Sequence, residues 1–209
     1  MRARRLSILL LCLLGCAAPP SSTRLDFTAP HAPANFPPFN PDGTLNALIE
    51  IPAGTNAKWE ATADHESLEW ERLDDGTLRV VAYLAYPANY GMVPGTLLDP
   101  ESGGDGDPLD VLVLGPALPR GAIVRVRLIG ALALRDDGEI DDKLLAVPEQ
   151  GTFAEIDDVR ELDERYPGVS AILATWFGNY KGPGRIEVLG LRSRAAATEQ
   201  VKAATRSDD

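Results

Sequence analysis

Beyond residue 16 this 209-residue chain has no cysteine; its two are Cys12 and Cys16. A disulfide framework is thereby excluded for everything that follows. Long apolar runs are missing too. The run at residues 6–14 holds nine residues where a spanning helix needs ~20, which excludes a multi-span membrane protein. Basic residues are few: 20 Lys and Arg stand against 31 Asp and Glu, a net charge of −11. General nucleic-acid binding needs a basic face and does not fit. An anionic substrate must then be met by a few placed cations or by bound metal. Histidine is limited to His31 and His65. Apolar residues, by contrast, make up 44% of the chain, enough for a core and too many for disorder throughout. The length suits one domain.

The first fifteen residues have the layout of a secretory signal. Arg2, Arg4 and Arg5 precede the apolar run, which ends at Leu14-Gly15-Cys16. That ending resembles a bacterial lipoprotein cleavage site, where a cysteine is acylated and becomes the new N-terminus. The expectation is a signal peptide over residues 1–15, a lipidated Cys16 and an exported, membrane-tethered protein. An ordinary signal peptide with an incidental cysteine is the alternative. Removing the three arginines shifts the charge from −11 to −14. Lipid would then tether the chain while its acidic body stays off anionic headgroups.

A linker follows Cys16 as far as residue 41. It contains seven prolines, which favour extended, semi-rigid chain. Phe27 and Phe39, two of its aromatic residues, are candidates to dock on the body. The folded domain is expected over residues 42–209. Short β-type runs fall at 47–51, 78–83, 109–114, 123–134, 144–147 and 186–191, with Asp-Gly and Gly-Gly punctuation between several. Many short strands at this spacing predict a small barrel or sandwich. Val169, Ile172, Leu173, Trp176, Phe177 and Tyr180 recur at helical spacing. Core packing explains Trp176 and Phe177. Residues 195–204 read as a terminal helix.

Chemistry concentrates in acidic residues and a few cations. Asp105-Gly106-Asp107-Pro108-Leu109-Asp110 places three carboxylates within six residues. Such charges repel one another unless cations neutralise them, and hard oxygen ligands select Mg²⁺, Mn²⁺ or Ca²⁺. A solvated acidic loop and a plain Asp-Gly turn are the competing readings. Asp136, Asp141, Asp142 and Lys143 form a second acidic group, around an Asp137-Gly138 turn. Glu50 sits in a predicted strand. Lys58 and Glu60 lie two residues apart and share one face if that segment is extended. Tyr86-Pro87-Ala88-Asn89-Tyr90-Gly91 sets two phenols around a constrained turn, and Tyr180-Lys181 closes the periodic helix.

Together these motifs resemble those of family I soluble inorganic pyrophosphatases. Asp105–Asp110 is similar to the family's Asp-small-Asp-Pro-apolar-Asp signature. Glu50-Ile51-Pro52, Asn56-Ala57-Lys58-Trp59-Glu60, Tyr86 to Gly91, Asp141 to Pro148 and Tyr180-Lys181 resemble its other segments, in order, over roughly residues 45–191. The resemblance implies a mainly β (α+β) fold, a five-stranded OB-like barrel flanked by two or three α-helices. It implies metal-dependent hydrolysis of pyrophosphate, with several Mg²⁺ ions per site and Mn²⁺ as a substitute. Asp105, Asp110 and Asp141 are then metal ligands, with Asp136 and Glu50 serving further ions. Asp107 helps deprotonate the attacking water, and Tyr90 is a phenol near the reacting centre. Lys58, Lys143, Tyr180 and Lys181 hold the phosphates, and Glu60 is a supporting acid. Arg79 resembles the substrate arginine, with Arg72 as the alternative. His31 and His65 match no functional position and read as surface residues. A homo-oligomer is among the implied states.

The physical logic agrees. Pyrophosphate would be repelled by a bare acidic cleft, and bound metal inverts the local field. In-line attack by water needs positioning and charge neutralisation more than covalent chemistry. Two other functions use the same residues. One is a non-catalytic envelope lipoprotein that binds metal or phosphate; the other is hydrolysis of a different phosphoanhydride such as short polyphosphate.

Overall fold

The structure is a computed structural model that describes residues 22–28, 30–99, 104 and 106–206. The expected signal peptide, Cys16 and Asp105 lie outside the described residues. Ten strands and three α-helices occur among those described. Five strands close a ring: β2 (Leu45–Ile51), β5 (Asn89–Met92), β6 (Asp110–Val113), β9 (Lys143–Pro148) and β7 (Ile123–Asp136). Pairing runs β7–β2–β5–β6–β9 and returns to β7. Only β6 and β9 run parallel, with Asp110 opposite Lys143. This is the OB-like barrel expected, and α1 (Val159–Arg165), α2 (Val169–Phe177) and α3 (Arg194–Ala204) flank it.

The ring strands bury both faces. Leu48, Leu112, Leu132 and Leu145 join a core that includes Leu162 of α1 and Leu173 of α2. Ala47, Val111, Ala131 and Leu144 join a second core with Ala197 and Val201 of α3. That explains why these runs read as nearly continuous apolar sequence rather than strict alternation. At ~25 cal/mol per Å² of apolar surface, each fully buried Leu contributes roughly 2 kcal/mol. Gly91 in β5 is required by contact: a Cβ there would stand 1.8 Å from the Leu48 carbonyl oxygen of β2. Long β7 bends at a register shift between Leu128 and Gly130. It pairs with β2 over its first half and with β10 (Ile186–Ser193) over its second.

A second sheet, ordered β1–β4–β3, stands beside the ring. It comprises β1 (Arg24–Asp26), β3 (Trp59–Ala61) and β4 (Ser67–Trp70). The described part of the proline-rich stretch therefore runs along the body. Phe27 packs on the first core and Phe39 on the second, as those two residues suggested.

Three local expectations are corrected. Residues 78–83 form no strand; they make isolated bridges at Leu78 and Val80 and then bend. Arg79 carries irregular bonds to two neighbours there, N–H to Glu71 O at 2.8 Å and carbonyl from Lys58 N at 3.1 Å. The Tyr86–Gly91 turn is only half turn, because β5 begins at Asn89. Helix α2 stops at Phe177, and Tyr180 lies in the turn beyond it, its N–H on Trp176 O at 3.0 Å. Helix α1 adds to the expected elements. It is seven residues long, anchored by buried Val159 and Leu162, and capped by the Asp158 side chain on Arg160 N.

Candidate active site

One cleft of about 270 Å³ opens between the ring and the small sheet, and it gathers residues from across the chain. Glu50 comes from β2, Glu60 from β3 with Lys58 just ahead of it, and Tyr90 from β5. Asp107 and Asp110 come from the entry to β6, Asp136 from the end of β7, and Asp141 with Lys143 from the start of β9. Arg79, Tyr180 and Lys181 complete the wall. These are all twelve of the predicted catalytic, metal, substrate and supporting residues that fall within the described part. Arg72 is elsewhere, its guanidinium on Gly76 O at 2.9 Å in a surface turn. His65, expected at the surface, is half-buried and lines the cleft from the β3–β4 connection.

The local folding explains the aim of each group. Strand alternation puts Lys58 and Glu60 on one face, where they form an ion pair, while Trp59 points the other way. Behind the wall the Arg120 guanidinium covers the Trp59 ring at 4.3 Å and donates Nε–H to Glu50 O at 2.9 Å. Trp59 stacks on Trp70 at 6.0 Å. Parallel pairing of β6 with β9 sets Asp110 beside Lys143. Lys143 Nζ then bridges Asp110 and Asp141, 2.5 Å from Asp141 Oδ1. Lys181 pairs with Asp136. Arg79 is held by both oxygens of Glu71, at 2.6 and 2.9 Å.

Burial shapes the proton affinities. The Glu50 carboxyl is buried and is pushed up to about 8, although Lys58 and the Ala61 N–H both favour its charged form. Asp141 is raised for the same reason, with Lys143 opposing. Burial works against the Lys58 and Lys143 ammonium groups, but their carboxylate partners outweigh it and both stay charged. Burial drives Tyr90 and Tyr180 well above the ordinary phenol value, so both are neutral donors at physiological pH. Lys58 and Lys143 approach the Tyr90 ring at 5.2 and 5.7 Å.

The donor set suits a hard divalent cation, being carboxylate oxygens throughout. Asp136 Oδ1 adds a specific sign, since it is buried with no hydrogen-bond partner. Among the described residues no three acidic or histidine side chains close around one point by themselves. Lys143 stands between two of the carboxylates, and Asp105 is outside the described part. The residues present therefore fit such ions by donor chemistry.

Six carboxylates opposed by four cations and two neutral phenols define a site for a polyanion handled together with metal. The comparisons identify the class of protein. The family model described as "Inorganic pyrophosphatase" matches residues 47–208. An inorganic pyrophosphatase of Campylobacter jejuni is 33% identical over 167 residues, covering 78% of this chain and 91% of the relative. One from Saccharolobus solfataricus is 35% identical, covering 77% and 89%. The crystal structure of the type I enzyme from Toxoplasma gondii superposes with a TM-score of 0.76 at 31% identity, over 82% of this chain and 84% of that one. The chain belongs to the inorganic pyrophosphatase family, and so to the hydrolases.

Proposed function

We propose that this protein hydrolyses inorganic pyrophosphate to two phosphates, with divalent metal, at the cell envelope. The observation that carries the chemistry is the convergence of twelve residues, from segments spread over residues 50–181, in one cleft. Asp110, Asp136, Asp141 and Glu50 would hold the ions, with Asp105 as the further ligand implied by the sequence motif. Such ions supply charge neutralisation at phosphate oxygens and a lowered pKa for water. Asp107 takes the proton of the attacking water. Lys58, Arg79, Lys143 and Lys181 neutralise the phosphoryl oxygens, and Tyr180 donates a hydrogen bond. Tyr90 offers a neutral O–H beside the reacting centre. Glu60 holds the Lys58 ammonium in place. Magnesium is the metal proposed, with manganese able to substitute.

The test is phosphate release from pyrophosphate by the purified protein, with Mg²⁺, without metal, and with Asp107→Asn alongside. Fast, metal-requiring release that collapses in the variant supports the reading. Tight metal or phosphate binding without release moves the protein to a binding role.

The location rests on Arg2, Arg4, Arg5, the apolar run and Gly15-Cys16. Acylation at Cys16 would tether the enzyme outside the cytoplasm, where pyrophosphate hydrolysis recovers phosphate. Cell fractionation of a Cys16→Ser variant tests this. Release of the variant from the membrane fraction supports the tether, and identical membrane retention of both forms removes it.

A further inference from the structure

Strand β10 pairs with β7 along one edge, and among the described residues no strand pairs with its other edge. An open edge is a template for a further strand, and proteins blunt it with proline, lysine or a bulge. Residues 186–193 contain no proline and no lysine. Val188, Leu189 and Leu191 are instead 40%, 47% and 40% exposed. A bulge is present. Val188 lies opposite Leu134 of β7 and Gly190 opposite Ala133, so Leu189 is the extra residue. The bulge resets the alternation. Ile186, Val188, Leu191 and Ser193 share one face of the sheet, opposite Asp136, Leu134, Leu132 and Gly130; Glu187, Gly190 and Arg192 share the other. An unbulged strand laid on the open edge would meet the mismatch that β7 absorbs at Leu189. A second β10 running antiparallel brings a matching extra residue.

We propose that β10 pairs antiparallel with β10 of a second copy of this chain, about a two-fold axis at the Leu189–Gly190 peptide, so that one sheet runs through a dimer. In that register Val188 falls opposite the partner's Leu191, Glu187 opposite the partner's Arg192, and Ile186 opposite the partner's Ser193. Each of these pairs lies on a single face of the joined sheet. A slip of one residue sets Val188 opposite Gly190 or Arg192, which belong to the other face. The charges agree with the register. Glu187 has no ion-pair partner among the described residues. Arg192 engages Asp142 through Nε at 3.2 Å, which leaves its four terminal N–H groups for a carboxylate across the axis. Apolar contact and ion pair each occur twice, because the strip is complementary to itself; that selects a second copy over an unrelated strand. No residue of β10 lines the cleft, so the pairing leaves the cleft open, and the inference stands apart from the reaction proposed there.

The test uses the full chain with Cys12→Ser and Cys16→Ser, so that introduced thiols are the only ones. Sedimentation is expected to show an assembly of at least two chains. A parent at single-chain mass throughout a concentration series overturns the proposal. A mixture of Val188→Cys and Leu191→Cys proteins sets unlike thiols directly opposite, at Cβ separations of about 4.5–5.5 Å. Mild oxidation is expected to link the mixture and neither variant alone, because like thiols stand three residues apart along the strands, about 10 Å. No link in the mixture overturns the interface, and equal linking of mixture and single variants overturns the register. Leu191→Lys and Glu187→Arg are each expected to raise the dimer Kd about a hundredfold, a tenfold loss at each of two symmetric positions. An unchanged Kd in both overturns the pairing. The altered side chains are all exposed, so the circular dichroism of each variant should match the parent, which separates a lost interface from a lost fold.

Discussion

The Trp70 indole donates a 2.8 Å hydrogen bond to the backbone carbonyl of Arg79. Trp70 is also stacked on Trp59, which sits between Lys58 and Glu60 and lies under Arg120, itself bonded to the Glu50 carbonyl. Four residues of the cleft are thus registered from behind by two indoles and one guanidinium. Trp70→Phe keeps an aromatic ring and deletes the N–H. The expected result is a several-fold rise in KM for pyrophosphate with little change in kcat, and a stability loss near ~1 kcal/mol, the usual worth of one hydrogen bond. Steady-state kinetics with thermal unfolding checks both.

Asp107→Asn removes the group proposed to accept the proton while preserving size. A loss of roughly 10²- to 10⁴-fold in kcat is expected, the range for a positioned general base. Circular dichroism and Tm should match the parent, since Asp107 lies at the cleft and outside both apolar cores.

Glu50 makes the metal-free protein sensitive to alkali. Its folded value is about 8 against 4.5 in the unfolded chain. The folded state keeps a proton that the unfolded chain releases in that window. The resulting stability is complete below pH 4.5 and is lost as pH rises through 8. Glu50→Gln fixes the neutral form. In chelator it should equal the parent near the lower of those two values and exceed it by a few kcal/mol above the higher one, because a tenfold difference in proton affinity is worth about 1.4 kcal/mol. Denaturant titrations at the two ends of the window decide it.

Chelation should abolish phosphate release, and added Mg²⁺ should restore it. The same addition should raise Tm, because a ligand that binds only the folded state stabilises it by about 2.7 kcal/mol at a hundred times its Kd. Calorimetry across a Mg²⁺ series reads the shift.

Asn89 is fully buried and fully used. Its Oδ1 accepts from Ala53 N at 3.0 Å and Leu118 N at 2.8 Å, and its Nδ2 donates to Val113 O and Pro116 O. Asn89→Ala leaves these backbone groups unpaired around β5 and β6. A loss of roughly 2–4 kcal/mol is expected from several buried groups losing partners, read as a lower denaturation midpoint with an unchanged slope.

Much of this was written in the sequence. The runs at 47–51, 109–114, 123–134, 144–147 and 186–191 all lie on strands apart from the end residues Leu109 and Leu114; in the first four Val, Ile and Leu fill cores on both sides, whereas in the last only Ile186 is buried and Val188, Leu189 and Leu191 are exposed. Residues 78–83 mislead because Val80 and Val81 have strand composition while their partners, Ala57 and Asn56, lie in irregular chain. Strands β3 and β4 escape the pattern because they are short and carry Glu60 and Glu69 among their few residues. The cleft residues are legible because each sits in a compact motif. His65, Arg120 and Trp70 have no such signal. Their relation to the cleft is created by the β3–β4 connection, the turn before β7 and the small sheet, all of which are tertiary.

Strand β1 has a bearing on geography. Thr23 already belongs to the folded body, since its carbonyl accepts from Trp70 N at 2.9 Å, and Arg24 is in register with Glu69. From Cys16 to Thr23 is seven peptide units, a leash of at most about 25 Å. A lipid on Cys16 would therefore moor the enzyme by the very sheet that carries Glu60. The acidic body would stay within that leash of the bilayer, and each phosphate would be set free within a molecule's breadth of the membrane.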